Sequence, residues 1–240
     1  MPSSIASLLA GLFPALATDS PLEPDCWVAR VLKADPPELA RLSSAIDVVG
    51  LRGQLPILRR RIANEHPTRR AHRAADDLRL LDCLTEALAF AWAESSLTGS
   101  PSLTANVPGA PDVYVDTGAR DTSSWIEAKA IHASERDRQL TRWMRKTGEV
   151  VLGTVEPAGR GLWNKFVSDF YDAKRKFDKN TAGKHIVFFN VTFDTDLIPR
   201  KQETFDQADT LATALEAREP SIKIVICYNY SWLEPIRNLQ

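Results

Sequence analysis

Between residues 111 and 131 the chain alternates twice in side-chain character, and a polar run separates the two segments. In the first, Val113 and Val115 fall on one face, while Asp112, Tyr114 and Asp116 fall on the other. In the second, Trp125, Glu127 and Lys129 share a face opposite Ile126, Ala128 and Ala130. A period of two over such short stretches specifies half-buried strands. Residues 117–123 (Thr-Gly-Ala-Arg-Asp-Thr-Ser) are turn formers. A hairpin results, and it sets Asp112 near the start of one strand with Glu127 and Lys129 on the next.

Two carboxylates facing each other across a hairpin repel and weaken the sheet. A divalent cation removes that penalty. Oxygen ligands that leave open positions for water and phosphate suit Mg2+. Such an ion acidifies a water and offsets charge on a phosphoryl oxygen. Lys129 beside it would orient or deprotonate that water and balance transition-state charge.

Pro111-Asp112, followed after fourteen residues by Glu127-Ala128-Lys129, resembles the signature of the PD-(D/E)XK nuclease superfamily. The resemblance implies a restriction endonuclease-like core. It implies Asp112 and Glu127 as metal ligands, the Ala128 carbonyl as a further ligand and Lys129 as the catalytic lysine. Mg2+ is then the expected ion, Mn2+ its substitute, and DNA the expected substrate. Members often carry a third acid on the helix before the hairpin, and this chain offers Glu86 and Glu94. At about 100° per residue the two point in different directions. Glu86 is the expected third metal-site residue, because it stands where the helix becomes wholly apolar and an unpaired carboxylate is costly. Glu94 sits near the helix end, where water reaches it. Gln139 and Trp143 resemble the Gln-x-x-x-Tyr element of some branches, but tryptophan replaces tyrosine, and a core role for Trp143 is the residue-level reading.

Around the hairpin the chain reads as α/β, a mixed central sheet flanked by helices, with a small helical N-terminal region. Residues 71–96 contain no glycine or proline, and Leu80, Leu81, Leu84, Leu88, Ala91 and Trp92 make a helical stripe. From residue 87 to 93 every position is apolar, so that half should be covered on all sides. A strand is expected within residues 102–107, and helices over 134–146, 162–177 and 204–218. On the second of these helices Phe166, Phe170 and Phe177 point inward and Lys165, Lys174, Arg175 and Lys176 outward. Apolar runs at 185–193 and 222–228 read as interior strands. The order from residue 71 is α-β-β-β-α-α-β-α-β.

Before residue 65 lie an apolar helix within residues 5–17, a proline-rich connector, short helices over 27–33 and 37–49, and a loop over 50–56. The first helix has no preceding Lys or Arg and is too short for a bilayer, so it reads as a packing or partner-binding element. The expected organisation is a helical region, residues 1–64, and a nuclease-like domain, residues 65–240. The three cysteines, Cys26, Cys83 and Cys227, lack metal spacing and fit reduced core residues of a cytoplasmic protein. The four histidines show no ligand spacing either.

A net charge of −1 conceals basic blocks. Residues 52–79 hold eight arginines against Glu65, Asp76 and Asp77, and residues 160–184 hold seven Lys or Arg against Asp169, Asp172 and Asp178. A third group is Arg136, Arg138, Arg142, Arg145 and Lys146. Such blocks suit either phosphate binding or solvated helix faces. The expectation is an Mg2+-dependent deoxyribonuclease, with specificity from a homodimer, a partner protein or the N-terminal region. The alternative is a catalytically silent nucleic-acid- or partner-binding domain on the same fold.

Overall fold

A computed structural model of the chain describes residues 4–12, 39–65, 77–104, 109–131, 160–179, 182–192 and 201–229. The helices expected over 27–33 and 134–146 (with Gln139 and Trp143) lie outside these residues, as do Cys26, His66, His72 and His132. The N-terminal helices are α1 (Ser4–Leu12), α2 (Ala40–Leu51) and α3 (Leu55–Glu65). The long helix is α4 (Asp77–Ser96), followed by β1 (Ser100–Leu103), β2 (Val113–Asp116) and β3 (Ser124–Ile131). Then come α5 (Arg160–Phe177), β4 (Lys184–Thr192), α6 (Lys201–Arg218) and β5 (Ile222–Asn229). The expected loop over 50–56 shrinks to three residues, because α2 runs on to Leu51 and α3 begins at Leu55.

The five strands form one mixed sheet in the order β1-β2-β3-β4-β5. β1, β2 and β3 pair antiparallel, whereas β3, β4 and β5 pair parallel. The strand expected within 102–107 is displaced toward the N-terminus: β1 begins at Ser100, which pairs with Asp116. Parallel strands need long crossovers, and α6 lies in the connection between β4 and β5. Gly183, just before β4, has φ of +106°, and a Cβ there would stand 2.5 Å from the Ser123 carbonyl oxygen. Only glycine tolerates that approach. It lets Lys184 N–H donate to the Ser123 carbonyl at 2.8 Å, which sets β4 in register with β3.

Both faces of the sheet are covered, so β4 and β5 read as continuous apolar runs. Ile126, Ile186, Phe188, Val225 and Cys227 join one hydrophobic cluster with α4, and α1, α2 and α3 belong to that same cluster. Val187, Phe189, Val191, Ile224 and Ile226 join a second with Phe166, Phe170 and Phe177 of α5 and with α6. α4 thus lies between the sheet and the N-terminal helices, which explains its all-apolar half; only Ala91 there is less than buried. Asn190 of β4 donates to Thr85 of α4 at 2.9 Å, a buried polar tie across this layer. Among the described residues no helix is long and apolar enough to cross a membrane.

Candidate active site

The register of β2 and β3 places the hairpin residues as their alternation predicts, with Val113 opposite Ile126 and Tyr114 opposite Trp125. Tyr114 and Trp125 meet with ring centroids 4.4 Å apart, and Trp125 packs against the α5 side of the sheet. Glu127 and Lys129 share that side with Trp125. Asp112 precedes β2 by one residue and clasps β3 twice. Its backbone N–H donates to the Ile126 carbonyl at 3.0 Å, and its carboxylate Oδ2 accepts from the Ala128 N–H at 2.9 Å. Pro111 has no N–H to extend the ladder. The Asp112 side chain takes over where backbone pairing stops.

Glu127 is only 1% exposed. Its Oε1 accepts from Lys129 Nζ at 2.8 Å and from Lys176 Nζ at 2.6 Å. Its Oε2 is buried and accepts no hydrogen bond. Burial, followed by repulsion from Asp112, pushes the Glu127 carboxyl above its ordinary pKa even against these two ammonium groups. Burial works to discharge Lys129, but Glu127, Asp112 and Asp169 together outweigh it and hold the ammonium above its usual value. Lys129 therefore keeps its proton here, which favours orienting a water or balancing charge over acting as a base.

Lys176 and Asp169 were not singled out by the sequence pattern, which put Lys176 on the outer face of α5. The structure turns it inward onto Glu127. Asp169 lies seven residues earlier, on the same helical face, where its charge reaches Lys129. The other outward residues of that block are locally paired: Lys165 with Asp169, Lys174 with Asp178, and Arg175 with Asp172.

A second correction concerns Arg61. It belongs to the arginine block expected to face solvent or phosphate, yet it is 4% exposed, while Arg59 and Arg60 are exposed. Its Nη1 pairs with Glu86 and lies 3.7 Å from Asp112 Oδ1. The Glu86 side chain is only 14% exposed, and the group paired with its carboxylate in the structure is this guanidinium. Glu94, the alternative acid, pairs with Arg52 at the helix end. Asp112 thus joins the two halves of the site, with Glu86 and Arg61 on one side and Glu127, Lys129 and Lys176 on the other.

Among the described residues no three Asp, Glu, His or Cys side chains converge as a ready ligand cluster. A cation nevertheless fits the Asp112–Glu127 side. There Glu127 Oε2 is buried with no partner, and burial and then repulsion from Asp112 keep the Glu127 carboxyl raised although Lys129 and Lys176 both pair with its other oxygen. Cys83 and Cys227 are buried, and burial pushes the Cys227 thiol up to about 11 although Arg41 Nη1 donates to its sulfur at 3.7 Å. That thiol is a core group, not a nucleophile.

The Glu127 environment has a consequence for stability. Its raised pKa means that the folded chain retains this proton to higher pH than the unfolded chain does. The contribution is fully present below the ordinary carboxylate pKa and is lost as pH climbs through the raised value. In EDTA, the unfolding free energy of the wild type should fall relative to that of Glu127→Gln as pH rises from about 4 toward neutrality. Urea titrations at several pH values give the comparison. A difference that does not change with pH would show that folding leaves this carboxyl unperturbed.

Comparison of the chain with protein-family models, with curated proteins and with solved structures returned no match.

Proposed function

We propose that the chain is a divalent-cation-dependent nuclease that hydrolyses DNA phosphodiester bonds on a restriction endonuclease-like core. The observation that carries this reading is the convergence of Asp112, Glu127 and Lys129 beside the β2–β3 pairing, with Glu127 buried and one of its carboxylate oxygens without a partner. The order of the described elements from α4 onward, with a hairpin running into parallel strands, suits that core.

Asp112 and Glu127 would hold Mg2+, or Mn2+ in its place, with the Ala128 carbonyl as the further ligand that the motif implies. When bound, the ion supplies an acidified water and offsets charge on the phosphoryl oxygens. Lys129, held as an ammonium against Glu127 Oε1, would balance charge that grows on the phosphoryl group. Lys176 holds Glu127 from the opposite element, so the carboxylate is fixed before substrate arrives. Glu86 acts on this centre through Arg61, which touches both it and Asp112. Arg59 and Arg60, exposed on α3, are cations available to a phosphate backbone.

A second reading is favoured by one observation. Arg61, Lys129 and Lys176 already compensate Glu86, Asp112 and Glu127, three cations for three carboxylates. Such a network stands without any metal, as it would in a silent binding domain. Purified protein incubated with plasmid separates the two. Nicking or linearisation in Mg2+ that EDTA abolishes is the expected result. DNA left intact in both Mg2+ and Mn2+, with retention in a mobility shift, would establish the binding domain instead.

A further inference from the structure

Arg61 reaches the site from α3, outside the hairpin and its flanking helices. Its Nη1 pairs with Glu86 and lies 3.7 Å from Asp112 Oδ1. Its Nη2 donates to the Thr104 carbonyl, contacts the Thr104 hydroxyl at 3.2 Å and lies 3.5 Å from the Asp112 carbonyl. A guanidinium does not lose its proton in a protein, and its planar fork is held here by Thr104 and two carboxylates. The gap between Glu86 and Asp112 therefore contains a permanent positive charge positioned by the fold. On the other side of Asp112 the two ammonium groups, Lys129 and Lys176, both pair with Glu127 Oε1, and Oε2 is left buried with no partner.

We propose that Arg61 is a built-in monocation that closes the Glu86 side of Asp112, so that the chain takes up one divalent ion, held by Asp112 and Glu127, with Glu86 outside its ligand set. This rests on the metal-dependent reading above and deepens it by stating how many ions the site accepts and why. Arg61 is then a positioning residue. It neutralises Glu86 and keeps Asp112 Oδ1 aimed, and without it Glu86 and Asp112 would face each other uncompensated and recruit a second ion.

The test counts Mn2+ bound to the full chain by equilibrium dialysis, with free Mn2+ read from its electron paramagnetic resonance signal. The expected stoichiometries are one ion for the wild type, two for Arg61→Met, and one again for Arg61→Met combined with Glu86→Gln. Circular dichroism checks that each variant is folded. If methionine at position 61 prevents folding, Arg61→Gln, which keeps a donor for Thr104 and drops the charge, replaces it with the same expected count. Two ions on the wild type, a single ion on the uncharged variant, or two on the double variant would overturn the inference while leaving the nuclease reading intact. No ion on the wild type would overturn the metal-dependent reading itself and this inference with it.

Discussion

Residues 66–240, expressed without the preceding helices, should not fold cooperatively. Ile5, Leu9, Leu42, Val49, Leu58 and Ile62 are each 0% exposed, and all six lie in the cluster that also contains Leu80, Leu84 and Leu88 of α4. Burying one such side chain contributes about 1.5–3 kcal/mol. Against the net stability of an ordinary domain, about 5–15 kcal/mol, opening that shared cluster is a large loss. Deletion also uncovers one face of α4 and leaves Glu86 without its guanidinium. Urea unfolding followed by circular dichroism is the measurement. The fragment should give a broad, shallow transition or precipitate. A sharp transition near that of the full chain would make residues 66–240 a domain in their own right and reduce α1–α3 to an accessory.

The second large effect is on chemistry. Lys129→Ala should lower Mg2+-dependent DNA cleavage by about 10²–10³-fold, the usual cost of removing one donor aimed at developing charge. The fold should survive, because Lys129 is partly exposed and Lys176 continues to pair with Glu127. Single-turnover cleavage, with Mn2+ uptake measured alongside, separates lost chemistry from lost ion. Undiminished cleavage by the folded variant would remove Lys129 from the mechanism. Loss of ion binding together with activity would show that it organises the ligands instead.

The hairpin was legible because alternation is a local property: Val113, Val115 and Ile126 are apolar for the reason that they are buried, and the intervening residues follow. The long strands β4 and β5 and the helix α4 were legible from other local patterns, two continuous apolar runs and a helical stripe. Arg61 and Lys176 were not. On an isolated amphipathic helix an arginine or lysine reads as solvated surface, and only the layer packed above decides otherwise. A signal did exist. Arg61 stands beside Ile62 and three residues after Leu58, within the buried stripe of α3, and Lys176 stands three after Ala173 and one before Phe177. A cation inside an apolar stripe asks for a buried anion. Naming that anion required the tertiary arrangement, since Glu86 and Glu127 lie 25 and 49 residues away in the chain.

Those separations bear on when the site comes into being. The clasp of Asp112 on Ala128 spans 16 residues and belongs to a hairpin, which closes early and quickly. Arg61 reaches back to Asp112 across 51 residues, and Lys176 reaches Glu127 across 49. Loops of that length close at a larger entropic cost and late, once the helices at either end have docked. During synthesis Asp112, Glu127 and Lys129 all emerge before α5, which carries the Lys176 that fixes Glu127. A nascent or partly unfolded chain carries Asp112, Glu127 and Lys129 without Lys176, and the frame around Glu127 is complete only when α5 docks.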